Sequence, residues 1–236
     1  MSNNIIVALD VESKKEARKW VDRIGDYVGF FKVGKQLFTA EGPQVVSMIK
    51  DSGGGVFLDL KFHDIPNTVA AASVQAVKLG VDMLNVHALG GFDMMARTAE
   101  DVRNEAERSG VKKPVLIAVT ILTSMNDEGL DEAGIMTPLT DEVIKLALLA
   151  KKAGLDGVVA SPQEINITKE ACGDDFVVVT PGVRPSFASL DDQKRVMTPS
   201  EAVKAGADYL VIGRPITKAV DPIKAIRLIE EELCQG

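Results

Sequence analysis

The sequence predicts a (β/α)8 barrel, and three observations carry that expectation. Eight short, β-branched apolar runs recur along the chain, and amphipathic segments alternate with them. The length of 236 residues is close to the roughly 250 that such a barrel uses. The strand candidates, in order, are IIVALD from Ile5, FFKVG from Phe30, GVFLDLK from Gly55, MLNVHA from Met83, VLIAVT from Val115, GVVAS from Gly157, FVVVTPGV from Phe176 and YLVIGR from Tyr209. Short apolar runs bounded by turn residues read as strands. The intervening KKEARKWVDRIG, VVSMIKDS, VAAASVQAVKLG and LTDEVIKLALLAKKAG have helical spacing, and several end in Gly just before the next strand, as helix C-caps do.

No Pro- or Ser-rich linker or low-complexity segment divides the chain, so residues 1–236 are expected to form one catalytic domain. The competing architecture is a doubly wound open sheet, which needs fewer strands and a glycine-rich turn after the first one. Here the first strand runs into ALDVES, without glycine. Gly53, Gly54 and Gly55 precede a strand and so form a turn rather than a phosphate cradle.

Composition excludes several classes. Hydrophobic residues make up 46% and charged residues 26%, ordinary values for a globular enzyme. The net charge is −7 and the pI about 5.0, and the densest basic run (Lys14, Lys15, Arg18, Lys19) is interleaved with acids on a helix. That pattern is a solvated face, and nucleic-acid binding is not expected. An anionic ligand must therefore be attracted by a few cations gathered locally. The N-terminus lacks a basic region followed by a long apolar core, and no apolar run reaches the roughly 18 residues of a membrane span. Cys172 and Cys234 match no metal or redox spacing, which points to reduced thiols in a cytoplasm.

Barrels of this kind carry chemistry at the C-terminal ends of their strands. Those ends supply Asp10, Lys32, Asp59, Lys61, His87, residues 120–124, Arg184, Gly213 and Arg214. In the third strand a period of two puts Phe57, Asp59 and Lys61 on one face and Val56, Leu58 and Leu60 on the other. The Leu face suits the helices, so Asp59 and Lys61 point into the barrel mouth. A salt bridge that merely caps the barrel is the alternative. Asp10 and Lys32 at neighbouring strand ends make an alternating set of two acids and two bases, more than capping requires.

Gly213, Arg214 and Pro215 after the eighth strand, with Arg184 after the seventh, suit a phosphate ester. Glycine allows close backbone approach, proline starts a helical turn, and a guanidinium fork matches phosphate oxygens. Residues 183–198 form a connection longer than the usual 4–6, either a segment that closes over a ligand or a plain surface excursion. His63 and His87 have no partner at metal-ligand spacing, so structural roles are expected for both. A metal site from Asp10, Asp59 and Asp64 is conceivable, but Lys32 and Lys61 already neutralise these carboxylates.

DLKFHDIPNT, together with ALD, FKVG, LTS, TPGVRP followed by DDQKR, and VIGRPIT, resembles the orotidine 5′-phosphate decarboxylase family over essentially the whole chain. The wider group of sugar-phosphate decarboxylases and aldolases shares only the Asp-x-Lys-x-x-Asp core. The resemblance implies a homodimer with shared active sites that converts orotidine 5′-monophosphate to UMP and CO2, without metal or organic cofactor. It implies Lys61 as proton donor to C6 within a network of Lys32, Asp59, Lys61 and Asp64, with Asp64 and Thr68 reaching the partner's site and Ile65 among the substrate-binding residues. Asp10 and Lys32 would hold ribose hydroxyls, and Thr123, Ser124 and Pro181 would border the nucleoside. Arg184, Gln193, Gly213 and Arg214 would hold phosphate. Two other readings remain: a Mg-dependent sugar-phosphate decarboxylase or aldolase, and a catalytically silent phosphate-binding barrel.

Overall fold

The computed structural model describes residues 2–187 and 197–234. All eight expected strands form: β1 (Ser2–Ala8), β2 (Val28–Gly34), β3 (Gly55–Phe62), β4 (Met83–His87), β5 (Val115–Val119), β6 (Gly157–Val159), β7 (Val177–Pro181) and β8 (Tyr209–Ile212). They are parallel and ordered β1 to β8 in a closed barrel. Closure is made by β1 on β8, with Ile5 opposite Leu210 and Val7 opposite Ile212. Helices occupy the connections, among them Lys14–Ile24, Gln44–Asp51, Pro66–Lys78, Gly91–Ser109, Leu139–Lys152 and Pro222–Cys234.

Strand alternation divides the apolar residues into two bodies. Ile6, Ala8, Phe57, Met83, Ile117, Val179 and Val211 fill the barrel interior, where the rings of Phe30 and Tyr209 meet edge to face at 5.6 Å. Their neighbours in sequence, such as Ile5, Val7, Val56, Leu58, Leu84, Leu116, Val178 and Leu210, pack outward with helix residues including Val46, Ile49, Val69, Leu146 and Ile226. Fully burying each such side chain stabilises the fold by about 1.5–3 kcal/mol relative to leaving it exposed. Met94 and Met95 belong to this outer layer, fully buried.

The N-terminal end of the barrel is closed by one device used three times. Lys78-Leu79-Gly80-Val81-Asp82, Lys152-Ala153-Gly154-Leu155-Asp156 and Lys204-Ala205-Gly206-Ala207-Asp208 each end a helix and start an even-numbered strand. The glycine takes a positive φ in each (76°, 84° and 106°), a conformation that costs side-chain-bearing residues dearly. Two residues later comes the aspartate. Its backbone N–H donates to the carbonyl of Val56, Leu116 or Val178 on the preceding strand. Its carboxylate accepts that same residue's N–H at 2.7–2.8 Å and also binds Lys50, Lys113 or Lys169. β3, β5 and β7 thus each have an amide near their start satisfied by the turn that launches the next strand.

Candidate active site

At the opposite end of the barrel the charges bind one another. Lys32 leaves β2 and places its ammonium 3.2 Å from Asp10 Oδ1 and 3.4 Å from Asp59 Oδ2. Lys61 donates from Nζ to Asp59 Oδ1 at 2.5 Å. The side chains of Lys32 and Asp59 are each only 12% exposed, Lys61 26% and Asp10 68%. Burial opposes the charge on Asp59. The nearby ammonium groups of Lys32 and Lys61, with hydrogen bonds from Lys61 and Asn85, outweigh it and hold the carboxyl below its ordinary value. Space is kept open around this array. A Cβ on Gly34 would lie 3.1 Å from Lys32 Nζ, and one on Gly213 would approach Asp10 and Ala8 at 4.0 and 3.5 Å.

The period-two expectation for β3 needs one correction. Asp59 does face inward, but Lys61 sits at φ 53°, in the left-handed region that disfavours side-chain-bearing residues. Strand alternation therefore stops before Lys61. On the ladder with β4, Leu58 pairs with Leu84 and Phe62 with Val86, so four steps along β3 match two along β4. The excess is a bulge, and bulges re-aim side chains beside active sites. Lys61 reaches Asp59 through this backbone turn rather than through simple alternation.

Asn85 is the residue that sequence reasoning missed. It is 1% exposed, its Oδ1 accepts the Lys61 backbone N–H at 2.8 Å, and its Nδ2 donates to Asp59 Oδ1 at 2.7 Å. A signal was present: MLNVHA read with period two puts Asn85 on the inward face with Met83. A buried amide there needs partners.

The other expected residues fall into three groups. Thr123, Ser124 and Pro181 line a cleft of about 760 Å³ that also reaches Ser161 and Gln163. Arg184 is 9% exposed and its backbone N–H donates to the carbonyl of Met197. Gly213 caps the short helix Arg214–Thr217, directly after β8 and beside Asp10. Asp64, Ile65 and Thr68 stand apart. Asp64 accepts the N–H of Ile65 at 2.6 Å and among the described residues forms no ion pair. All three are exposed, Ile65 at 66%. Within one chain the array joins Asp10, Lys32, Asp59 and Lys61, and Asp64, expected to serve a partner's site, is not among them. Gln193 lies outside the described residues.

His63 and His87 stack at 5.3 Å. His87 is pushed down to about 4 by burial, then by the charges of His63, Lys35 and Lys61. It is neutral at pH 7 and accepts the Leu89 N–H at Nδ1, a structural role. Among the described residues no three His, Cys, Asp or Glu side chains form a group able to hold a metal ion. Both cysteines are free thiols, and among the described residues no helix is long and apolar enough to cross a membrane. A separate cavity of about 510 Å³ opens near Lys113, Asp156 and Cys172, at the strands' N-terminal end.

The fold and the charged array define a (β/α)8-barrel protein with its reactive side chains gathered at the strands' C-terminal ends. A family model described as "Orotidine 5'-phosphate decarboxylase / HUMPS family" matches residues 3–229. The chain belongs to that family. It is 59% identical over 232 residues to the orotidine 5′-phosphate decarboxylase of Geotalea daltonii, covering 98% of this chain and 96% of that protein. The protein of the same name from Geobacter sulfurreducens is 58% identical with the same coverage. Among solved structures, orotidine 5′-phosphate decarboxylase from Lactobacillus acidophilus superposes with a TM-score of 0.87 at 39% identity, over 97% of this chain and 98% of that one.

Proposed function

We propose that this chain, acting as one catalytic domain in the cytoplasm, decarboxylates orotidine 5′-monophosphate to UMP and CO2. The observation that carries the reading is the ammonium of Lys61, held 2.5 Å from the buried carboxylate of Asp59 with Lys32 behind it. Breaking the C6–carboxylate bond releases CO2 and leaves the electron pair on C6, where the ring offers no conjugated sink. The site must favour negative charge at C6 over the starting carboxylate. A fixed ammonium stabilises that charge as it develops and then gives C6 a proton. The neutral amine of Lys61 recovers its proton from water, so atoms and charge balance.

Asp59 has two effects. It aims Lys61 through the bond at its ammonium, and its own charge faces the carboxylate about to leave. Two like charges at ~4 Å repel by about 4 kcal/mol at an effective dielectric near 20. Asp10 and Lys32 hold ribose hydroxyls, Thr123, Ser124 and Pro181 border the nucleoside, and Arg184, Gly213 and Arg214 take the phosphate. Binding energy from that remote phosphate holds the ring in the field of Lys61.

Asp64 and Thr68 belong to the site of a second copy of this chain, and Ile65 borders the substrate. Their exposure, with no ion pair at Asp64 among the described residues, supports a homodimer with shared sites. The chain's net charge of −7 and its lack of a basic stripe support a small-molecule substrate over nucleic acid.

The test follows loss of orotidylate absorbance in EDTA, with wild type and Lys61→Ala. Wild-type decay that survives EDTA and collapses in the variant is expected. No decay with wild type overturns the reading, and activity that needs added Mg²⁺ would favour the metal-dependent relatives. Mixing inactive Lys61→Ala and Asp64→Ala chains tests the shared site, because a heterodimer regains one intact site. No recovery despite confirmed exchange counts against it.

A further inference from the structure

We propose that Asn85 is a positioning residue for the decarboxylation: its side-chain amide clamps Asp59 and the left-handed backbone of Lys61 together. The inference rests on the function proposed above. It begins from the bulge, where β3 spends four residues against two on β4. There the backbone N–H of Lys61 takes a side-chain partner on β4, the Oδ1 of Asn85. That N–H can only donate, so the facing atom of Asn85 must be its oxygen. The amide nitrogen is thereby turned onto Asp59 Oδ1, where it is found at 2.7 Å.

The consequence is a closed ring of contacts. Asp59 Oδ1 accepts from both Asn85 Nδ2 and Lys61 Nζ, and Oδ2 faces Lys32. With both oxygens engaged, the carboxylate has no freedom to turn, and Lys61 is fixed at its backbone and at its ammonium. Few side chains could replace Asn85. Aspartate keeps the acceptor for Lys61 N–H but loses the donor and sets a second carboxylate beside Asp59. Alanine loses both bonds and leaves the left-handed turn without its clamp. A 1 Å misplacement of reacting groups costs on the order of 100-fold in rate, so a clamp acting on both members of the pair has kinetic weight without touching substrate.

The test measures kcat and KM for orotidylate with Asn85→Ala and Asn85→Asp, each in wild-type and Asp59→Ala backgrounds, with Tm recorded for all. In the wild-type background kcat falls by roughly 10- to 100-fold, the size of a hydrogen bond to a charged group, while KM changes by less than about threefold. In the Asp59→Ala background the same substitution costs at least about fivefold less, because its partner is gone. A merely structural Asn85 would lower Tm and leave those two costs equal. Equal costs in both backgrounds, or unchanged kcat in a folded variant, overturn the proposal. If Asn85→Ala does not fold, the near-isosteric Asn85→Asp decides by the same comparison. Absence of turnover in the wild type would instead overturn the proposed function, and this inference with it.

Discussion

The two ends of the barrel use the same residue types for opposite ends. At the N-terminal end Asp82, Asp156 and Asp208 each satisfy a strand amide and pair with one lysine, and their side chains are 32–37% exposed. Each of these three carboxylates closes part of the backbone ladder. At the C-terminal end Lys32 and Asp59 are 12% exposed, and Lys61 is held in a left-handed turn. Buried charge and backbone strain both cost stability. One end uses charge to satisfy backbone groups, and the other holds paired but buried charge on a strained backbone, which is how a fold supports a site more demanding than its scaffold.

The sharpest way to break this contrast is Lys61→Gly. Glycine accepts φ 53° freely, a gain of up to about 1 kcal/mol. The buried Asp59 loses one of its two cations and keeps Lys32, a loss that opposes the gain, so the variant should change little in Tm. It should also lose roughly 10⁴-fold or more in kcat, having lost the proton donor and the fixed charge. Thermal melts and the orotidylate assay read both; a clearly lower Tm would show that Lys61 stabilises the fold.

Arg214→Ala comes next. It touches no reacting atom, yet kcat/KM should fall roughly 100-fold because phosphate binding serves the transition state. Unchanged kcat/KM would remove the phosphate from the account.

The other end should answer in stability alone. Asp208→Ala leaves the Val178 N–H unsatisfied and Lys169 without its carboxylate, a loss of about 2–3 kcal/mol. Denaturant unfolding should show it, with kcat of the folded variant within about twofold. A large fall in kcat would mean that the two ends are coupled.

The smallest effect concerns pH. His87 has its folded value lowered to about 4 from 6.5, so between these values the unfolded chain binds more protons. Its contribution to stability is full above pH 6.5 and declines as pH falls toward 4. His87→Asn should flatten that part of a Tm-against-pH curve, and an unchanged slope would assign the decline to other groups.

Much of this was legible in the sequence. Period-two and helical patterns located all eight strands, since apolar alternation is set by which face each residue must bury. Reading only strand ends found Asp10, Lys32, Asp59 and Lys61, and the structure joins them. The stretch DLKFHDIPNT illustrates the limit. Alternation aimed Asp59 inward correctly, but it gave Lys61 an ordinary strand conformation. That Asp64 would serve another chain's site came from the family resemblance, not from alternation. The threefold Lys-x-Gly-x-Asp device was present in the letters too, yet its meaning lay in which strand amide each aspartate meets.

The sequence by itself determined the barrel, its order and the charged residues at its mouth, because each follows from local periodicity and chemistry. The tertiary structure alone decided that Lys61 takes a left-handed turn and that Asn85 clamps it to Asp59. Those contacts join residues 24 and 26 positions apart. They depend on the register between β3 and β4 and on the bulge that shifts it, and a register between strands is fixed only when whole faces pack together.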